Sequence, residues 1–286
     1  MGVELHKPET IDEAVRLKSE DSEAMFLAGG QTLIAMMNTE LVEPPALISL
    51  DRISDLMGIE RQPDGAIRIG AMTSHAELAS SDQLIDAHAV VRGAAKVIAH
   101  PAIRNLGTIG GAVSHGDPNA DYPAALVAAD ALIEVVGPTD LREIAAADFF
   151  LDYMTTELQE NELLKAVILP PAANRSYGHY EKFSRVEGDY ATASVAVTLS
   201  LDGASKVDRI RIAVGASGPT PIRVPAAEQR LLDSDMGAAA LTEAAEQISA
   251  ACDPLDDVRG SSAYRRLLIP RLIAKAVTIT KSMAEA

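Results

Sequence analysis

The chain has 286 residues, 48% hydrophobic and 23% charged, so it can bury a sizeable core and is long enough for two or three domains. Its 25 Lys and Arg against 41 Asp and Glu give a formal net charge of -16, which argues against nucleic acid or an anionic membrane as a partner. With one cysteine, Cys252, the chain alone can hold neither a disulfide framework nor an iron–sulfur cluster or cysteine-rich zinc site. It shows no secretion signal and no apolar run of membrane-spanning length, so we expect a cytoplasmic protein without a membrane span.

Residues 1–58 alternate between strand and helix patterns. In PETIDEAVRLKSED, Ile11, Ala14 and Val15 recur at helical spacing. AMFLAGG is a short apolar run broken by a glycine pair, and ALISLDRI follows a double proline; both predict buried strands. We therefore expect a small α/β unit over this segment.

Residues 59–171 predict a second, α+β unit. AIRIGAMT reads as a strand, a helix begins near Thr73 without a full capping box, and QLIDAHAVVRGAAKVIA predicts a long helix that ends at His100-Pro101. YPAALVAADALIEVVG begins as a helix and ends as a strand, and LREIAAADFF and ELLKAVILP predict two more strands. This unit closes near Pro170-Pro171.

Residues 172–286 predict a three-stranded sheet followed by helices. SYGHYEKFSR, ATASVAVTLSLDG and VDRIRIAVGASG are strand patterns at hairpin spacing, with Asp202-Gly203 as a favoured turn between the last two. Three helical patterns follow: VPAAEQRLL, AAALTEAAEQISAA and a long run from Ser262.

Two stretches contain adjacent glycines and are candidate anion sites: LAGGQTLIAMM and TIGGAVSHGDPNAD. Each lies at a junction of apolar elements, where backbone N–H groups are left unpaired and the absence of Cβ lets a phosphate approach closely. An ordinary tight turn is the more common explanation of a single glycine pair, but the presence of two such stretches favours anion binding. Neither the P-loop nor the Rossmann glycine fingerprint is present, so a bound nucleotide needs another cradle.

The polar tail of the second stretch leaves several roles open. His115, Asp117 and Asp121 suit metal ligation or acid–base work, but Asp117-Pro118 is also a turn signal and Asp121 a helix N-cap signal. A third hypothesis is that a carboxylate of this tail accepts a hydrogen bond from a ribose hydroxyl. Tyr190 is either a half-buried strand aromatic or a ring that stacks on a planar ligand.

Four segments in this order resemble the FAD-binding medium subunit of molybdenum hydroxylases: AGGQTLIAMM, HPAIRNLGTIGGAVSHGDPNADYPAALVAADA, YEKFSRVEGDYATASVAV and GSSAYRRLLIPRL. The resemblance covers nearly the whole chain, and TIGG with the following DPxxD is its most specific part. It implies an α+β fold: a two-subdomain FAD-binding domain of the vanillyl-alcohol oxidase type, followed by a C-terminal domain of antiparallel sheet plus helices.

The resemblance also implies which residues hold the FAD. Its pyrophosphate lies between the two glycine stretches, Asp121 takes the ribose or adenine end, Leu164 and Lys182 line the isoalloxazine region, and Tyr190 covers one face of the flavin ring. A valine at either glycine of TIGG is then expected to meet the phosphate and leave the fold intact. The implied cofactor-binding residues are Leu27, Ala28, Gly29, Gly30, Gln31, Thr32, Leu33, Ile34, His75, Ile98, Thr108, Ile109, Gly110, Gly111, Ala112, Asp121, Leu164, Lys182 and Tyr190, with none assigned to catalysis or to a metal.

In function, the resemblance implies an electron-transfer subunit. Two 2Fe-2S clusters belong to a small partner subunit and the molybdenum cofactor to a large one, in a dimer of heterotrimers. Electrons pass from the clusters to FAD and then to an external acceptor. The alternatives are a stand-alone flavin oxidoreductase of the same fold and a nucleotide-binding module without a redox role. The chain departs from the family at Thr32, Ala35 and residues 38–40, where relatives have Ser, Pro and basic residues; Thr32 keeps the hydroxyl.

Overall fold

A computed structural model of the chain describes residues 2–234 and 236–285. Its first sheet has three parallel strands in the order β1-β3-β2, joined through helices α1 and α2. Thr10 caps α1 by accepting a hydrogen bond from the Glu13 amide at 3.2 Å, and Ile11, Ala14 and Val15 bury its apolar face. The predicted α/β unit is thus present. Its elements are β1 (Glu4–His6), α1 (Ile11–Glu20), β2 (Met25–Leu27), α2 (Leu33–Asn38) and β3 (Ala46–Ser49).

The second sheet is antiparallel and has five strands, in the order β4-β5-β10-β6-β7. Its buried residues form one continuous cluster with those of the first sheet, so the two parts share a core. The strands are β4 (Ile59–Arg61), β5 (Ile67–Gly70), β6 (Leu132–Val136), β7 (Leu141–Ala145) and β10 (Leu163–Leu169), and β8 (Phe150–Asp152) and β9 (Thr155–Thr156) form a separate hairpin. The helices are α3 (His75–Ser80), α4 (Ala89–Val97), α5 (Pro101–Arg104), α6 (Ile109–His115), α7 (Tyr122–Ala128) and α8 (Ala146–Phe149).

The third sheet is antiparallel and follows the order β11-β12-β13-β14. Every residue of β12 is buried because both of its faces are covered. Val195 and Val197 pack with the last helices, whereas Ala196 belongs to the core of the first two sheets. The elements are β11 (Ser176–Phe183), β12 (Ala193–Leu201), β13 (Val207–Gly215), β14 (Ile222–Arg223), α9 (Pro225–Leu232), α10 (Ala238–Ala251) and α11 (Ser262–Glu285).

Several local predictions are corrected by the structure. The cap of α3 is Ser74 rather than Thr73, and it forms a complete capping box with Glu77. The long helix expected from QLIDAHAVV starts only at Ala89, after a 3-10 turn over Asp86–His88, because Ile85 is extended and Asp86 has a positive φ of 54°. The strand expected over LREIAAADFF becomes helix α8 after Ala145.

The C-terminal sheet also differs from its prediction. It has a fourth strand, β14, whose two residues are too few for a periodic pattern. The loop between β12 and β13 runs from Asp202 to Lys206, and Ser205 rather than Gly203 takes the left-handed conformation, with φ 64°. Asp202 stabilises this loop by accepting hydrogen bonds from the amides of Ala204 and Lys206, both at 2.9 Å.

Cys252 is buried beside the end of α10, which raises the pKa of its thiol to about 12. Over residues 2–234 and 236–285, none of the helices is both long and apolar enough to cross a membrane. The boundaries near residues 58 and 171 stay a prediction.

We predict that Ser74→Ala lowers the free energy of unfolding by about 1 kcal/mol, because it removes the α3 cap while Glu77 keeps only the backbone contact. Ser80→Ala in the same helix is the matched control; its hydroxyl bonds the Ala76 carbonyl at 2.9 Å, and we expect a change within about 0.5 kcal/mol. Urea unfolding of both variants measures the difference. Equal effects would show that the box contributes nothing.

Candidate functional site

The two glycine stretches meet in the fold. A Cβ built on Gly29 would lie 1.9 Å from the Leu106 carbonyl oxygen and 2.8 Å from the Gly107 Cα. A Cβ on Gly111 would lie 3.6 Å from the Cβ of Ala28. The segment 28–33, here called the first turn, therefore lies directly on the segment 106–112, the second turn. These two turns form the floor of the candidate site.

The first turn carries open hydrogen-bond donors. Gly30 adopts a left-handed φ of 69°, which favours glycine, and α2 starts three residues later. In the described part of the chain, no acceptor is bonded to the amides of Gly30, Gln31, Thr32 or Leu33, and the Thr32 side chain makes no cap. The backbone N–H groups that an anion needs are thus present here.

The second turn differs from its prediction, because its amides are already bonded within the protein. The Ile109 amide donates to the Thr73 carbonyl at 3.0 Å, and that of Gly110 to the Ala71 carbonyl at 2.8 Å. Gly111 donates to the Thr108 hydroxyl at 3.2 Å. The expectation of unpaired amides at Gly110-Gly111 is therefore wrong: the loop after β5 supplies a remote acceptor for Gly110, and the nearby Thr108 side chain supplies one for Gly111.

What the second turn contributes is space. Gly111 is exposed, so a side chain there would enter the area in front of both turns. Gly110 is buried, and a Cβ there would lie 2.5 Å from that of Ala71. The expectation that valine at either position meets a phosphate and spares the fold thus fails for Gly110, whose side chain would meet protein.

His75 lies on the buried side of the second turn and not on the side where Gly111 is exposed. It is 5% exposed, its Nδ1 lies 2.9 Å from the Tyr122 hydroxyl, and a Cβ on Gly107 would lie 2.7 Å from its Nε2. Burial, followed by the charge of Arg104, lowers the pKa of His75 from 6.5 to about 4. His75 is therefore neutral at pH 7 and supports the turn from inside.

Asp121 is held in a buried polar cluster. Its carboxylate accepts hydrogen bonds from the Tyr180 hydroxyl at 2.8 Å and from Lys182 Nζ at 3.0 Å, and Lys182 also donates to the Val97 carbonyl. Burial raises the pKa of Asp121, while Lys182 opposes that shift. Asp121 is the N-cap residue of α7, as predicted, but its side chain makes no capping hydrogen bond; the ribose contact stays a prediction.

Asp117 forms the turn that its sequence signal predicts. Its side chain accepts a hydrogen bond from the Asn119 amide at 2.8 Å, and its carbonyl accepts one from Ala120 at 3.0 Å. His115 is the last residue of α6 and is half-buried. Across the residues that the structure describes, three or more His, Cys, Asp or Glu side chains nowhere gather as a metal site would require.

The residues expected around the flavin ring differ in exposure. Leu164 is 2% exposed in β10, so little of it reaches a ligand here. Ile98 is partly buried next to Val97, and its carbonyl accepts a hydrogen bond from Arg104 at 2.8 Å. Tyr190 is 41% exposed, with the Arg259 guanidinium 5.0 Å from its ring centroid.

Sequence reasoning missed four residues of this region: Leu106, Tyr122, Tyr180 and Arg259. Each acts on a predicted site residue, namely Gly29, His75, Asp121 and Tyr190 respectively. Only Tyr122 had a local indication, because it follows Asp121 directly. The assignment of the predicted residues to FAD stays a prediction.

Comparison with known proteins shows which family the whole chain resembles. Residues 1–172 match the model of the FAD binding domain in molybdopterin dehydrogenase, and residues 178–280 that of the CO dehydrogenase flavoprotein C-terminal domain. The carbon monoxide dehydrogenase medium chain of Hydrogenophaga pseudoflava is 37% identical over 96% of this chain and 95% of its own. The nicotine 6-hydroxylase medium subunit of Paenarthrobacter nicotinovorans is 34% identical over 94% of each.

Solved structures are equally similar. A carbon monoxide dehydrogenase structure from Hydrogenophaga pseudoflava that lacks the Mo-pyranopterin moiety superposes with a TM-score of 0.94 at 36% identity, over 99% of this chain and 98% of that one. Quinoline 2-oxidoreductase from Pseudomonas putida 86 gives 0.93 at 26% identity, over 100% and 99%.

The low pKa of His75 predicts a pH dependence of stability. The unfolded histidine, with pKa 6.5, binds a proton that the folded one, with pKa about 4, does not, so stability falls as pH drops below 6.5. Between pH 7 and pH 5 this amounts to about 2 kcal/mol. Over this pH range we expect the free energy of unfolding of His75→Gln, measured in urea, to fall by about 2 kcal/mol less than that of the unaltered protein. His100→Gln, at an exposed histidine, is the control, and an unchanged slope in the His75 variant would contradict the assignment.

Proposed function

The chain belongs to the family of FAD-binding medium subunits of molybdenum hydroxylases, and we propose that it takes electrons from the 2Fe-2S clusters of a small partner subunit and passes them to an external acceptor. It is the FAD-carrying subunit of an oxidoreductase. Bound FAD supplies the redox-active ring for this transfer. The chain's own part is to hold, orient and shield that cofactor.

One observation carries the proposal: the segment with the open amides and the segment with the exposed Gly111 contact each other. An FAD diphosphate needs several donors, and a chain of net charge -16 offers no positive field to attract it. Neutral backbone N–H groups serve this purpose without counter-charges. We assign the diphosphate to the amides of residues 30–33, with Gly111 leaving room for it and the Thr108 hydroxyl beside it.

The remaining contacts of the cofactor follow from the buried polar cluster. Tyr180 donates to one carboxylate oxygen of Asp121 and Lys182 donates to the other. A ribose hydroxyl would therefore donate to the remaining lone pair of one of these two carboxylate oxygens. We assign the ribose or adenine end to Asp121, and the flavin region to Lys182, Leu164 and the exposed ring of Tyr190. Ile98 and His75 act from behind these residues.

The partners follow from what the chain lacks. One buried cysteine, Cys252, cannot hold an iron–sulfur cluster, so electrons must reach this subunit from clusters on another chain. We propose a small 2Fe-2S subunit and a large molybdenum-cofactor subunit as partners, in a cytoplasmic dimer of heterotrimers. Selection of the organic substrate then belongs to the large subunit.

We predict that the protein, purified together with the chains that accompany it, shows flavin absorption bands that added FAD restores after depletion. If flavin bands are absent both before and after FAD is added, the electron-transfer subunit and the stand-alone flavin oxidoreductase are both excluded. Only the nucleotide-binding module without a redox role would then remain. Mass spectrometry of the accompanying chains tests the partners. Recovery of an active monomer that oxidises a small substrate by itself would instead establish a stand-alone flavin oxidoreductase.

We also predict that Gly111→Val abolishes FAD retention while the melting temperature of the flavin-free protein falls only slightly, because Gly111 is exposed and its added Cβ meets only the Thr108 hydroxyl, at 3.1 Å, and the Ala28 Cβ, at 3.6 Å. Gly203→Val, at a turn glycine with no atom within 4 Å of a built Cβ, is the matched control and should retain FAD. Gly110→Val should lower the melting temperature, because it meets Ala71. Full FAD content in the Gly111 variant would refute the assignment of the second turn.

A further inference from the structure

Tyr190 is held from one side by an arginine that comes from a distant part of the chain. The Arg259 guanidinium lies 5.0 Å from the centroid of the Tyr190 ring, and its Nε lies 3.3 Å from an Asp189 oxygen. The cation therefore has two anchors, a ring face and the neighbouring carboxylate. The ring nevertheless keeps 41% of its surface exposed.

A second arginine, Arg185, connects the same two loops, this time from the loop that carries Tyr190. Arg185 Nη1 donates to the Val258 carbonyl at 2.9 Å, and Arg185 Nη2 lies 3.6 Å from Asp189. The loop 184–190 and the loop 253–260 are thus joined at two points. We call the set Arg185, Asp189, Tyr190, Val258 and Arg259 the clasp.

The far side of the clasp is anchored in the protein interior. Asp257 accepts hydrogen bonds from the amides of Arg259 and Gly260, and it pairs with Arg265 at 2.6 Å. Arg265 is 3% exposed and also donates to the Ala216 carbonyl at 2.7 Å. The loop that carries Arg259 is therefore held in place through Asp257 and Arg265. From this position Arg259 restrains the loop that carries Tyr190.

The ring is also close to the polar tail of the second turn. Burial raises the pKa of the Tyr190 hydroxyl, and the negative charge of Asp117 raises it further. Asp117 and Asp121 belong to the short tail between α6 and α7, and Asp121 bonds Lys182 on β11. Tyr190 thus stands beside the segment to which the cofactor is assigned.

We propose that Arg259 is a positioning residue for FAD: it covers one face of Tyr190 and, through Asp189, fixes the ring so that the opposite face meets the isoalloxazine ring. This inference rests on the proposed function. A ring held in place before binding loses less freedom when it stacks, so the clasp raises affinity without touching the cofactor. A cation–π contact at a partly exposed site corresponds to about a three- to fivefold change in binding.

The test measures FAD affinity by fluorescence titration of the flavin-depleted protein with its accompanying subunits. We expect Arg259→Ala and Tyr190→Ala each to weaken FAD binding by about three- to tenfold, and the double variant to be no weaker than Tyr190→Ala alone. Bound flavin should fluoresce more in both single variants, because Tyr190→Ala removes the quenching phenol and Arg259→Ala leaves that phenol less well fixed against the flavin. Arg230→Ala is the matched control, since Arg230 forms an exposed ion pair with Glu243 on the C-terminal helices.

The outcomes separate the two proposals. If the unaltered protein binds no FAD, the proposed function itself fails. If it binds FAD and Arg259→Ala matches the unaltered protein, the clasp has no positioning role and the function stands. If the two losses multiply in the double variant, Arg259 acts by a route other than Tyr190, and the inference is overturned. A melting temperature that falls together with the FAD affinity in Arg259→Ala but not in Tyr190→Ala would show a structural role only and overturn it as well.

Discussion

Gly29 has no room for a side chain, because the carbonyl oxygen of Leu106 would lie 1.9 Å from its Cβ. This backbone contact brings the end of the first parallel sheet against the segment that leads into α6. The open amides of residues 30–33 and the exposed Gly111 border one space because of it. Any larger residue at position 29 would separate the two turns and with them the halves of the site.

The two turns have different physical tasks, although both contain adjacent glycines. In the first, a left-handed Gly30 and a short helix start leave donors without acceptors. In the second, Ala71, Thr73 and Thr108 take up the amides, and the glycines serve close packing and free space. Under the proposed assignment this division suits an acidic chain, since neutral groups would hold the anion and no lysine or arginine would have to be placed at its phosphates.

The start of α7 joins the helices of the second part of the molecule to the third sheet. Asp121 bonds Tyr180 and Lys182 on β11, and the adjacent Tyr122 bonds His75 on α3. A buried ion pair gives up much of its Coulomb energy to desolvation, so the Asp121–Lys182 pair serves geometry more than stability. Because β12 is covered on both faces, the third sheet cannot shift without exposing apolar residues to water, and Lys182 and Tyr180 stay aligned with α7.

The sequence by itself determined the alternation of strands and helices in the first part, the α1 helix and the antiparallel C-terminal sheet, because these features depend on local spacing, which is legible along the chain. Its resemblance to known proteins, rather than any local pattern, indicated the family. The sequence did not predict elements that are short or have a local competitor, such as β14, the Ser74 cap and the delayed start of α4.

Only the tertiary structure decided which amides are open, because Ala71 and Thr73, which accept hydrogen bonds from the amides of the second turn, lie far from that turn in sequence. It likewise chose Tyr180 and Lys182 for Asp121, 59 and 61 residues away, and Arg259 for Tyr190. A hydrogen-bond partner or a ring contact is selected by distance in space, and no pattern of neighbouring residues encodes that distance.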